Sequence, residues 1–82
     1  MSKQITIYTT NNCAYCVMVK KYLASKGQAY EEVNVEQHPD RRQEAVELSG
    51  AMTVPVTVIT DDNGQKQVAV GANYGLIASA LA

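Results

Sequence analysis

Cys13 and Cys16, in the stretch "YTTNNCAYCVMVKKYL", are the only thiols of the chain, and two residues separate them. Such a pair can be a static cross-link, part of a metal site, two inert buried thiols or a working dithiol. A disulfide closing so short a loop constrains little of the unfolded chain, so it makes a poor staple. Structural zinc takes four ligands, and the one other soft or imidazole ligand is His38, so Cys and His of one chain cannot fill the shell. The redox reading is favoured over the inert one by position. Where a strand passes into a helix, the first cysteine meets unpaired backbone N–H groups and the positive end of the helix dipole, and both favour a thiolate. Cysteines so placed titrate at roughly 3.5 to 7.5 rather than about 8.5. Cys13 is therefore expected to attack a disulfide, and Cys16, one turn further on, to resolve the mixed disulfide that results.

The elements that must hold this pair can be read around it. Gln4 to Thr9 alternates and is rich in β-branched residues, which predicts a strand. From Ala14 to Lys26 there is no Gly or Pro, and Cys16, Val19 and Tyr22 or Leu23 recur at helical spacing before Gly27. A helix is expected there, with Asn11, Asn12 or Cys13 itself at the N-cap. Ala29 to Val35 reads as a second strand. "HPDRRQEAVELSG" predicts a second helix, with Pro39 and Asp40 early, Ala45, Val46 and Leu48 on one face, and Gly50 after it. Asn63-Gly64 signals a hairpin that pairs Val56 to Thr60 with Gln65 to Val70. "NYGLIASALA" closes the chain as a helix that Gly75 weakens. The order β-α-β-α-β-β-α predicts an α/β fold, a four-stranded mixed sheet flanked by helices, as one domain over residues 1–82. Pro55 opens an apparently central strand. A cis Val54-Pro55 bond and a strand-initiating trans proline both fit that position.

With 82 residues, 46% of them hydrophobic, and a formal net charge of -1, the chain has no basic field to draw in nucleic acid or anionic lipid. Its apolar runs are too short for a membrane span, and "MSKQITIY" contains no signal-peptide core, so a cytoplasmic location is expected. Cysteine pairs found in that compartment are mostly catalytic or redox-sensing. Without Trp or Phe, the core is expected to be Val, Ile, Leu, Met and Ala, with Tyr at its margins.

"IYTTNNCAYCVMVKKYLASKG", "SGAMTVPV" and "VAVGANYGLI" together resemble a glutaredoxin, above all the small bacterial glutaredoxin-like proteins, over nearly the whole chain. The resemblance implies a thioredoxin-like fold in which a T-V-P segment with a cis proline faces the cysteines. It makes Cys13 the nucleophile, Cys16 the resolving thiol and Tyr15 an aromatic on the rim. Thr53, Val54 and Pro55 become the T-V-P, where the backbone of Val54 pairs with an extended disulfide substrate as an added strand would. Gly71, Ala72 and Asn73 occupy the glycine turn before the last helix and complete the expected substrate-binding set.

Two features of glutathione-binding members are replaced. Their lysine before the first cysteine is Thr10 here, and their acidic residue after the glycine turn is absent. Arg41 or Arg42 is left to meet a glutathione carboxylate. Related redoxins that supply electrons to ribonucleotide reductase are reduced by thioredoxin reductase and lack the glutathione contacts. Their aromatic-rich C-terminal segment is missing here as well. Ala14 replaces the usual proline, and some glutaredoxins without that proline hold an iron-sulfur cluster between two subunits with help from glutathione.

The expected function is that of a dithiol-disulfide oxidoreductase acting on protein disulfides or glutathione mixed disulfides. It is expected to need no bound cofactor and no metal, to be monomeric, and to draw electrons from glutathione or thioredoxin reductase. The alternative is a cluster carrier. Of the other residues, His38 is expected on the surface, Met18 and Met52 in packing with Met52 beside the T-V-P, Tyr8 and Tyr22 in structure, and Tyr74 at the border of the site.

Overall fold

The computed structural model describes residues 4–50 and 53–81. Met52, one of the residues expected to pack, lies outside them. The elements follow the expected order: β1 (Gln4–Thr9), α1 (Ala14–Ser25), β2 (Glu31–Asn34), α2 (Arg42–Ser49), β3 (Val56–Thr60), β4 (Lys66–Val70) and α3 (Tyr74–Leu81). The strands form one sheet in the order β2-β1-β3-β4. β1 and β2 are parallel, so α1 is a crossover helix, whereas β3 runs antiparallel to both β1 and β4. α2 thus carries the chain across β1 to a strand of opposite direction.

Strand alternation sorts the side chains to the two faces of the sheet. Ile5 and Ile7 of β1, with Ile59 and Ala69, pack against Val19 and Leu23 of α1 and Ile77 and Ala80 of α3. On the other face, Tyr8, Val33, Val56 and Val58 pack with Ala45 of α2. The spacing of Cys16, Val19 and Leu23 gives α1 its buried stripe, and Leu23 is 0% exposed. Two expectations about the core change. Tyr8 is buried at 2% exposure rather than marginal, because its neighbour Ile7 takes the α1 face and leaves Tyr8 to the α2 face. Met18 is 47% exposed, because it lies away from the Cys16–Val19–Leu23 stripe.

Two connections differ in detail from the sequence reading. A 3-10 turn over Pro39–Arg41, closed by the Arg41 N–H donating to the His38 carbonyl at 3.0 Å, precedes α2. His38 is exposed at its cap position, as expected. Between β3 and β4, Asp61 organises the loop, because its Oδ1 accepts from the N–H groups of Asn63 and Gln65, both at 2.9 Å. Gly64 alone in that loop takes the left-handed conformation, at φ 81. Among the described residues no helix is long and apolar enough to cross a membrane.

Thr57 is fully buried in the centre of the sheet, opposite Ile7 and Ala69. Its Oγ1 has no hydrogen-bond partner among the described residues. An unpaired buried hydroxyl costs about 1–3 kcal/mol. Thr57→Val, which keeps the shape, is expected to raise stability by roughly 1 kcal/mol or more in urea unfolding of the oxidised protein. A loss of stability would show that the hydroxyl is paired.

A cysteine-capped helix beside a proline turn

β1 ends at Thr9, and the chain turns through Thr10–Asn12 into α1. Cys13 is the N-cap, in extended conformation at φ -133 and ψ 103. Its sulfur accepts the Cys16 N–H at 3.1 Å, so the side chain does the work that Ser or Asp does at other helix starts. Of the three cap candidates the structure selects Cys13. Cys13 and Cys16 form a disulfide with their Cα atoms 5.2 Å apart. Cys13 is half-buried and Cys16 is 1% exposed, so the first sulfur is the accessible one. No acidic residue occupies the first turn of α1 to oppose negative charge on Cys13.

The turn before α1 is held from β2. The Asn11 N–H and Nδ2 donate to the two carboxylate oxygens of Glu36 at 3.2 and 3.0 Å, and Asn34 Nδ2 donates to Asn11 Oδ1 at 2.8 Å. Asn34 Oδ1 in turn accepts from the N–H groups of Glu36 and Gln37. This clamp was not legible in the sequence, since it depends on parallel pairing that sets Thr9 beside Asn34. Behind it, Thr9 Oγ1 donates to Glu32 at 2.8 Å and Lys20 pairs with the same carboxylate at 3.0 Å, tying β1, β2 and α1 together. Lys20 and Thr9 hold the Glu32 carboxyl below its ordinary range.

The T-V-P segment comes to the same end of the sheet. The Val54-Pro55 bond is cis, which settles the open question at Pro55. Pro55 is buried, and its carbonyl accepts the Gly71 N–H at 2.8 Å, so the glycine turn is joined to the proline turn. Gly71 adopts φ 75, a conformation few other residues tolerate. Neither the N–H nor the C=O of Val54 has a hydrogen-bond partner among the described residues.

The other expected site residues divide. Thr53 is exposed and Val54 half-buried, and both line a cleft of about 500 Å³ with Thr10. Tyr15 is 61% exposed on the outer side of α1. Ala72 packs against the core. Asn73 caps α3, its Oδ1 accepting the Leu76 N–H at 3.2 Å, a role that the sequence reading missed. Tyr74 does not border the cysteines. Its ring lies 4.8 Å from that of Tyr22, about nine residues along α1 from Cys13, or roughly 13 Å of helix.

The two arginines also separate. Arg41 pairs with Glu44 at 2.9 Å, and Glu44 accepts the Tyr8 hydroxyl, which pins α2 to β1. Arg41 and the Tyr8 hydroxyl hold the Glu44 carboxyl below its ordinary range. Burial and the Glu44 carboxylate push the Tyr8 phenol up to about 12 from 10.0. A phenol whose pKa rises on folding adds stability that is complete below pH 10 and is lost as pH climbs toward 12. Between pH 9 and pH 12 the wild type is expected to lose roughly 2–3 kcal/mol more than Tyr8→Phe in denaturant titrations. Equal losses would show that Tyr8 ionises as freely folded as unfolded. Arg42, by contrast, faces the cleft that Val54 lines.

An N-capping cysteine disulfide-bonded one turn on, beside a proline turn with an open backbone, is the equipment of thiol-disulfide exchange. Residues 5–63 match the glutaredoxin family model. The glutaredoxin-like protein NrdH of Lactococcus lactis subsp. lactis is 37% identical over 59 residues, 72% of this chain and 78% of that protein. Glutaredoxin 3 of Escherichia coli is 37% identical over 51 residues, 62% of this chain and 61% of its own. The structure of the glutaredoxin-like NrdH-redoxin from Escherichia coli superposes with a TM-score of 0.74 at 30% identity, covering 93% of this chain and 92% of that one. That fold is the thioredoxin-like fold that the resemblance implied, with the element order read from the sequence. By sequence and by fold, this chain belongs to the glutaredoxin family of thiol-disulfide oxidoreductases.

Proposed function

We propose that this protein reduces disulfides of polypeptides and is itself recharged by a flavoprotein reductase of the thioredoxin type rather than by glutathione. Cys13, as thiolate, attacks one sulfur of the substrate disulfide. The substrate S–S bond breaks, and its second sulfur leaves as a thiolate that takes a proton from water. Cys16 then loses its proton and attacks Cys13, expelling the first substrate sulfur and forming the Cys13–Cys16 disulfide. Two electrons from the reductase reopen it. The family works without a resident cofactor.

One observation carries the choice of donor. The cleft that Thr10, Glu36 and Val54 line holds one carboxylate, on Glu36, and one guanidinium, on Arg42. Glutathione has two carboxylates and one ammonium, so Arg42 can meet one carboxylate and the cleft lining has no second cation among the described residues for the other. Arg42 stands across the cleft, on α2. The Escherichia coli NrdH-redoxin has a thioredoxin-like activity profile, and this supports the same reading here.

The test is turnover of the oxidised protein with two donor systems in parallel, with Cys13→Ser as the blank. Reduction by NADPH and thioredoxin reductase, with slow or no reduction by glutathione and its reductase, is the expected result. Efficient turnover by glutathione would overturn the donor assignment. Brown colour and dimerisation on supply of iron, sulfide and glutathione would instead favour the cluster carrier.

A further inference from the structure

We infer that Thr57 is the partner of Cys16 in the dithiol state, its hydroxyl hydrogen-bonding the Cys16 sulfur once the disulfide opens and so favouring the reduced pair. The inference rests on the exchange reaction proposed above and adds a residue that sets its balance. Opening the disulfide takes two electrons from the reductase and one proton from water. The S–S bond breaks, leaving Cys13 as a thiolate and Cys16 as a thiol.

β3 buries Val56, Thr57, Val58 and Ile59 in succession, and Thr57 alone of them is polar. Its hydroxyl is an unreturned cost in the disulfide state, where it has no partner among the described residues. The register sets Thr57 between Ile7 of β1 and Ala69 of β4, so its side chain lies on the face that α1 and α3 cover. Cys16 meets that face from the helix side, at the start of the stripe that Val19 and Leu23 continue. The levels agree as well. On this face of β3, Thr57 is two residues from Pro55, or roughly 7 Å of strand. Cys16 is three residues along α1 from the capping Cys13, or roughly 4.5 Å of helix. Both therefore lie one short step below the end of the sheet that carries Cys13 and Pro55.

Thr9, the other buried hydroxyl, donates to Glu32. Among the described buried side chains of this layer, the Cys16 sulfur is left as the atom able to pair with Thr57. In the disulfide it is bonded to Cys13 and accepts weakly. As a thiol it offers an S–H, and as a thiolate in the resolving step it becomes a charged acceptor. A hydroxyl rotates to suit either. Cys13 is the outer sulfur and Cys16 the inner one, so their separation carries Cys16 toward the sheet.

The test is the equilibrium between dithiol and disulfide in glutathione redox buffers, read by alkylation and mass, for the wild type, Thr57→Val, Thr57→Ala and Thr57→Ser. It compares two folded states of the same variant, so a packing loss common to both cancels. Neither a substrate protein nor a reductase is present, so failure here is separate from failure of the proposed activity and its donor. Thr57→Val and Thr57→Ala are expected to shift the equilibrium about tenfold toward the disulfide, and Thr57→Ser to stay within about threefold of the wild type. In urea unfolding, Thr57→Val is expected to raise the midpoint of the oxidised protein more than that of the reduced one. An equilibrium within about twofold of the wild type in both variants that lack the hydroxyl would overturn the inference. So would an equal rise in midpoint in the two oxidation states.

Discussion

Cys13→Ser is expected to lower disulfide reduction by roughly three orders of magnitude or more, because a serine hydroxyl at this cap is not a nucleophile at neutral pH. Cys16→Ser is expected to fail differently. Its Cys13 can still attack, so one substrate molecule remains covalently attached, visible as a stable added mass that dithiothreitol removes. The asymmetry follows from placement. Cys13 is half-buried at the helix cap, where the Cys16 N–H already points at its sulfur, while Cys16 is 1% exposed beneath it. If Cys16→Ser lost the first attack and Cys13→Ser kept it, the roles would be reversed. If both variants retained full turnover, the site would lie elsewhere.

The second large effect is on stability. Leu23 is 0% exposed and joins α1 to Ile5, Ile7 and Ile59 of the sheet, so Leu23→Ala leaves a cavity on the face that supports the cysteines. Such truncations cost about 2–5 kcal/mol. A domain of 82 residues has about 4–12 kcal/mol in total, from 0.05–0.15 kcal/mol per residue. Urea unfolding of oxidised Leu23→Ala is expected to show a much lower midpoint with little change in slope. A loss below about 1 kcal/mol would mean that α1 is held to the sheet by other contacts than this core.

How far the sequence could be read depended on the range of the interactions involved. β1 and the start of α1 were found at their observed positions, because alternation, helical spacing and an uninterrupted stretch without Gly or Pro are local signals. The buried stripe of α1 was likewise local, and the same spacing carries the information that Met18 points outward. The Val54-Pro55 bond was decided by no neighbouring residue, and only the family resemblance pointed to cis. The clamp of Asn11 by Glu36 and the anchoring of Glu44 by Tyr8 were invisible. They join residues 25 and 36 positions apart, and nothing short of the strand register and the docking of α2 brings them together. Arg41 and Arg42, equivalent as letters, were separated by the 3-10 turn that sends one to Glu44 and the other to the cleft. The cleft itself arises between β2, α2 and the proline turn, and no single stretch of sequence encodes it.

The most direct test of the central claim, that helix capping makes Cys13 the attacking thiolate, is the pH dependence of alkylation of Cys13 by iodoacetamide in reduced Cys16→Ser. The Cys16 N–H that points at the sulfur is a backbone group and is retained in this variant. The rate is expected to level off below about pH 8.5, with a midpoint below roughly 7.5. A rate still climbing through about pH 8.5, as for a cysteine in an unstructured peptide, would contradict the claim.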